Sequence, residues 1–302
     1  MLYYLSVLLQ GRYLTSTQIN PMDFHGIYAV SKKEYRDYIR NRWFMTLALI
    51  FFLLAVVTSY FGTSGMGFKG LEETVAAMMS LNSFLIPIVA IMMGHGVIIN
   101  EREKGSIHIL LSHPLTRLEL FLGKYFAMSL LLFTTLFLGF GGAAAVISVG
   151  GGEHSSWLHY IHFLFSTFLM GMVFLGFSFL VSTIAERKST AIGGGIFIWF
   201  FFTMIIGLLF LGILSIAGVD YEALLRGDIS GMPEWIWKML FISPLDTYQT
   251  NVALIYNIKN FFGYETPSIP SYISIWSTSL VLLIWALVPI SLAVKVFLKK
   301  DL

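Results

Sequence analysis

The formal charges of this chain, 19 Lys and Arg and 17 Asp and Glu, all fall outside six long intervals, and that segregation constrains the fold more than any other feature. The uncharged intervals run from Trp43 to Phe68, Thr74 to Asn100, Tyr125 to Gly152, His154 to Ala185, Ser189 to Val219 and Thr266 to Val294. Each exceeds the roughly 20 apolar residues that carry a helix across a bilayer, and none comfortably holds two. The chain is predicted to be an all-α integral membrane protein. Its six transmembrane helices fall at about 43–61, 75–99, 125–149, 161–185, 190–217 and 274–296.

The same charges set an orientation, because cytoplasmic loops carry the excess of Lys and Arg. If alternate connections lie on alternate sides, one face collects fifteen basic residues, among them Lys32, Lys33, Arg36, Arg40, Arg102, Arg117, Lys124, Arg187, Lys188, Lys295, Lys299 and Lys300. The other holds four: Lys69, Arg226, Lys238 and Lys259. Both termini are expected in the cytoplasm of a multi-pass protein of the plasma membrane. With 57% hydrophobic residues in 302, little polar surface is left for a soluble domain. The organisation expected is an N-terminal extension over 1–26 and one transmembrane domain over 27–302. Met1–Gln10 is apolar but too short to span, and Met22 is an alternative start. The net charge of +2 gives no reason to expect nucleic acid, and the absence of cysteine excludes thiolate metal sites and thiol nucleophiles.

Between Tyr28 and Trp43, Tyr28, Tyr35, Tyr38 and Ile39 recur at helical spacing while Lys32, Lys33, Arg36 and Arg40 take the other side. That pattern fits a helix in the headgroup layer turning into span one. Basic residues there also serve topology, so a lipid-specific site does not follow from the pattern, although membrane lipid is an expected partner. Pro87, the Gly139/Ala143 pair, Gly193–Gly195 and Pro289 read as close helix packing. The second large soluble segment, about Asp220 to Ser271, is expected at the opposite face, with Trp235, Trp237 and Phe241 on an interfacial helix.

No Asp, Glu, Lys or Arg lies in the interior of a span as drawn, whereas ion-coupled carriers usually bury one. His95 near the end of span two reads as an interfacial histidine. Ser166, Ser178 and Ser182 occupy span four without the Gly-x-Ser-Gly setting of an intramembrane hydrolase. His154, His159 and His162 lack an assured acidic or sulfur ligand, and the Met78-Met79 and Met92-Met93 pairs read as packing, so no metal site is expected.

The connection from Asn100 to Lys124 is the most patterned. A charged turn leads through Gly105 and Ser106 into a short apolar helix carrying Ile107, Leu110 and Leu111. Pro114 ends it, and Thr116-Arg117-Leu118-Glu119 reads as a capping box opening the next helix. Such a protrusion suits another protein's groove, or a hairpin folded against the bilayer.

The run Glu101-x-Glu103-x-Gly105-Ser106, the apolar helix and proline after it, and the Gly123-Lys124 entry to span three resemble the cytoplasmic coupling region of type-2 ABC-transporter permeases. The similarity extends to the NosY-like branch through Arg40-Asn41-Arg42-Trp43, Phe84-Leu85-Ile86-Pro87 and Ser243-Pro244-Leu245-Asp246-Thr247-Tyr248, and covers Ile27 to Leu298. The resemblance implies a six-helix subunit that pairs with a second copy and docks two copies of a separate ATPase. Tyr28–Arg42 would be the elbow helix. Glu101, Glu103, Gly105 and Ser106, with Arg102, Leu110, Pro114, Arg117 and Glu119, would form the ATPase-coupling set. ATP and Mg are expected on that partner, because this chain has no GxxxxGK[ST] phosphate loop and is expected to bind no cofactor. The branch implies a task in maturation of nitrous oxide reductase and an outer-face partner of the NosD type. Trp235, Pro244, Asp246 and Tyr248 are the residues expected at such a partner or at an outer gate. Export and purely mechanical transmission both suit the apolar spans.

Overall fold

The computed structural model describes residues 24–61, 71–103, 115–150, 156–219, 234–258, 260–261, 264–265 and 270–300. Helix α1 (Phe24–Ile39) precedes α2 (Arg42–Phe61), α3 (Leu71–Gly94) and the short α4 (Ile99–Glu103). Then come α5 (Arg117–Val149), α6 (Trp157–Ile184), α7 (Lys188–Phe200), a π-helical turn (Phe201–Ile205) and α8 (Ile206–Ile216). After these follow α9 (Ile236–Met239), α10 (Pro244–Ile255) and α11 (Ile275–Lys299). Strands β1 (Asn260–Phe261) and β2 (Tyr264–Glu265) pair antiparallel, Asn260 opposite Glu265. These two strands of two residues each are a small addition to a fold that is otherwise all-helical among the described residues.

Six of these stretches are long and apolar enough to cross a membrane, so the protein is multi-pass. In hydrocarbon every backbone N–H and C=O must find a partner within the chain, and helices with uncharged interiors achieve this locally. Capping places the boundaries. Thr116 and Glu119 exchange side-chain-to-backbone bonds of 3.2 and 2.8 Å, which opens α5 eight residues before the sequence-drawn span. Lys124 therefore lies inside the span-three helix and not ahead of it, a correction to the expectation of charge-free spans.

Span four, α6, is the hub. It packs against α3, α5, α7, α10 and α11, and 61% of its most apolar window is buried, against 6% for span five, α7 to α8. Close approach at α5 depends on two glycines. A Cβ on Gly139 would stand 2.7 Å from Phe51 Cβ and 2.9 Å from the Ala48 carbonyl, so α2 lies nearly backbone to backbone on α5. A Cβ on Gly123 would stand 2.6 Å from Val30 Cβ, which seats α1 equally closely on the other side. Ser31 Oγ donates to the Gly123 carbonyl at 2.9 Å across that contact.

Helix α1 keeps half of the face expected, with Tyr35 and Tyr38 packed partly buried against the core. Its most buried residues are Ile27, Val30 and Glu34, while Tyr28 is 60% exposed and Ile39 is exposed. The ion pairing at Glu34 described below draws a carboxylate inward on that buried face.

Candidate functional site at the two ends of the bundle

The end of the bundle that carries most of the basic residues is fastened by charge. Lys124, 1% exposed, donates to Glu34 Oε1 of α1 at 2.9 Å and to Glu101 Oε1 of α4 at 3.1 Å. One ammonium thus joins three elements. Beside it, Arg102 donates to the Thr183 and Ala185 carbonyls at 3.0 and 2.9 Å, and Lys300 Nζ to the Thr183 and Ile184 carbonyls at 3.2 and 2.9 Å. These are the last carbonyls of α6, which lack helical partners and form the negative end of its dipole, so two cations satisfy them in both senses. Arg117 Nη1 donates to the Lys300 carbonyl at 3.1 Å, and Glu103 accepts from the Lys188 N–H at 3.1 Å at the start of α7. Ser182 Oγ receives the Ile98 and Ile99 N–H groups where α3 gives way to α4.

At the opposite end α10 enters the bundle between α3, α6 and α11. Ser243 caps it, accepting from the Asp246 N–H at 3.2 Å, and Pro244 begins its first turn without needing a donor. Leu245, Tyr248, Val252 and Ile255 are buried. The polar side chains that join it to the neighbouring helices are neutral. Asn251 accepts from Ser166 and donates to the Ile275 carbonyl, Thr278 and Ser279 at 3.1, 2.7 and 3.0 Å. Tyr248 meets Thr167 at 3.1 Å, and Gln249 donates to Ser83 at 3.0 Å. The fully buried Asn82 amide lies beside the Tyr248 hydroxyl without full hydrogen-bond geometry. Burial pushes the Asp246 carboxyl up to about 6, a hydrogen bond with Ser243 offsetting part of the effect.

A sequence profile described as "ABC-2 family transporter protein" matches residues 28–302, nearly the whole described fold. The chain belongs to the ABC-2 transporter family. Two relatives carry the same printed name, "Probable ABC transporter permease protein NosY". The protein from Pseudomonas aeruginosa is 33% identical over 229 residues, covering 74% of this chain and 80% of the relative. The one from Stutzerimonas stutzeri is 31% identical over 246 residues, covering 79% and 82%. The resemblance to NosY-like type-2 permeases seen in the motifs thus extends over most of both relatives.

Within this ABC-2 subunit, Glu101, Arg102, Glu103, Arg117 and Glu119 gather at the basic end, but not as a ring of exposed charge. Glu101 is half-buried on Lys124, Arg102 is spent on α6, and Glu119 is 2% exposed in its capping box. Gly105, Ser106, Leu110 and Pro114, and with them the protruding helix, lie outside the described residues. Of the opposite set, Trp235 and Asp246 remain partly accessible, whereas Pro244 and Tyr248 are buried inside the subunit. The expected interfacial helix is only the four residues of α9. The larger helix, α10, went inward because its Leu245, Tyr248, Val252 and Ile255 form an apolar stripe.

Ser166, Ser178 and Ser182 each bond across to Asn251, the Ile91 carbonyl and the α3–α4 turn, so they tie span four to its neighbours. His95 Nδ1 bonds the Met92 carbonyl at 2.9 Å, as an interfacial histidine would. His159 and His162 lie against the rings of Tyr256 and Trp276, and His154 lies outside the described residues. Sequence reasoning missed Glu34, Asn82 and Asn251. Glu34 carried a usable signal, since it falls on the Ile27–Val30 face at i+7 and i+4.

Proposed function

We propose that this ABC-2 protein is the non-catalytic permease subunit of an ATP-driven transporter, coupled through its basic end to a separate ATPase that binds ATP and Mg. The observation that carries the reading is how the residues flanking 104–114 are held. Glu101, Arg102 and Glu103 precede that stretch and Thr116, Arg117 and Glu119 follow it, all six engaged with α5, α6, α7 or the end of α11. A push delivered to these flanking residues reaches α1 and spans two to six through hydrogen bonds. The positive-inside argument then puts the basic end and both termini in the cytoplasm of the plasma membrane.

A second copy of the chain completes the assembly in this reading. Span five leaves its face open, with exposed Ile196, Phe197, Leu208 and Leu211, where a second subunit would enclose a path. The relatives' NosY name favours the nitrous oxide reductase maturation branch, with a NosD-like protein meeting the opposite end near Trp235 and Asp246. Export of a solute and mechanical transmission without one are both served by this architecture. Reconstitution in liposomes with its separate ATPase tests the core of the proposal: a two-plus-two complex with stimulated ATP hydrolysis is expected. A chain that stays solitary and leaves hydrolysis unchanged overturns it.

A further inference from the structure

Helix α1 carries a second surface that coupling does not use. It has five fixed charges, Lys32, Lys33, Glu34, Arg36 and Asp37, with Arg40 just past its end, four basic against two acidic. The fold separates them. Glu34 turns inward to Lys124, its side chain 11% exposed and only loosely approached by Lys33 at 3.8 Å. Left outside are Lys32, Lys33, Arg36 and Arg40 against Asp37 alone, all exposed and bordering one open groove with His25 and Tyr28. Lys32 lies 5.5 Å over the Tyr28 ring, which holds its ammonium along the groove.

The position of the groove identifies its occupant. Helix α1 runs into span one through a single turn, with the Asn41 N–H on the Tyr38 carbonyl at 2.9 Å and the Phe44 N–H on the Asn41 carbonyl at 3.2 Å. The basic face therefore ends where the apolar helix begins, at the depth of headgroup phosphates. Exposed Phe24 and Tyr28 on the same helix are the side-chain type that settles in that layer. A soluble acidic partner would have no use for aromatic rings there. We propose that this face of α1 binds the headgroup of an anionic glycerophospholipid, with Lys32, Lys33, Arg36 and Arg40 as the phosphate contacts. Because the same helix presents Glu34 to Lys124 from its other side, the bound lipid holds α1 against α5 and Glu101, and stabilises the junction at the basic end.

The test uses the full chain in a neutral detergent, with phosphatidylglycerol, phosphatidylcholine or inorganic phosphate added. Native mass spectrometry counts bound lipid and a thermal melt reads the junction. Phosphatidylglycerol is expected to bind in preference to phosphatidylcholine and to raise the melting temperature. The variant Lys32→Gln, Lys33→Gln, Arg36→Gln, Arg40→Gln should weaken phosphatidylglycerol binding about tenfold or more. A matched variant, Arg187→Gln, Lys188→Gln, Lys295→Gln, Lys299→Gln, removes as much exposed charge from the same end and should keep it. Equal losses in both variants would reduce the effect to diffuse attraction and overturn the site, as would full retention in the α1 variant. Stabilisation by inorganic phosphate alone would reassign the groove to a free anion. Should the fourfold variant fail to fold, Lys32→Gln and Arg36→Gln singly are each expected to weaken binding about threefold, and no change in either overturns the proposal.

Discussion

At the basic end the elements meet through full charges, with Lys124 between Glu34 and Glu101 and Arg102 and Lys300 on the carbonyls of α6. At the opposite end α10 meets its neighbours through hydroxyls and amides alone, Asn251 on Ser166, Thr278 and Ser279, Tyr248 on Thr167, and Gln249 on Ser83. The difference follows the solvent. Charges are tolerable where headgroups and water reach, and each such contact resists separation because an unpaired buried ion is costly. Neutral pairs within a membrane average about 0.6 kcal/mol each, so the seat of α10 rests on many small terms. One end is fastened by a few contacts that are costly to break singly, the other by several that are cheap singly.

The sharpest way to break this comparison is at Lys124. Lys124→Met removes the cation that Glu34 and Glu101 share, and a loss of about 3 kcal/mol is expected, toward the low end for breaking a buried pair because Glu101 keeps some solvent and Lys33 still approaches Glu34. The same change combined with Glu34→Gln and Glu101→Gln should recover much of it, read from thermal or denaturant unfolding in detergent. If the single and triple variants are equally stable, the charge does not fasten this end. Next comes Asn251→Ala, which strands hydrogen-bonding groups on Ser166, Thr278 and Ser279 and should cost about 2 kcal/mol in the same assay. A cost equal to that at Lys124 would erase the contrast.

Asp246 offers a pH test of the opposite end. Its folded-state value of about 6 lies above the ordinary 3.8, so the fold favours the protonated carboxyl. Stability from this group is fully present below about pH 4 and is lost as pH rises through about 6, with an amplitude on the order of 1 kcal/mol allowing for its partial exposure. Asp246→Asn should flatten that dependence, and an unchanged profile would assign it elsewhere. The smallest effect is expected for Glu103→Ala, which removes an exposed acceptor from the Lys188 N–H at the start of α7, worth about 0.5 kcal/mol. A larger loss of ATPase stimulation in that variant would separate coupling from folding.

The sequence by itself determined the six spans, because charge exclusion over 20 or more residues has one cheap outcome in a bilayer. It also determined the start of α5, since a capping box is a local bond between residues three apart. Motifs near Glu101 and Pro244 were enough to point to the ABC-2 family. Partners distant in sequence were decided only by the tertiary structure. Lys124 reads as a loop cation until α1, ninety residues earlier, delivers Glu34, and this pairing draws a carboxylate of α1 into the bundle. Likewise Ser243–Tyr256 reads as a surface segment until the spans leave a seat for its apolar stripe and supply Ser166, Thr167 and Thr278 as hydrogen-bond partners. Periodicity tells which residues share a face, but the neighbour that face meets depends on packing between helices, which no local pattern encodes.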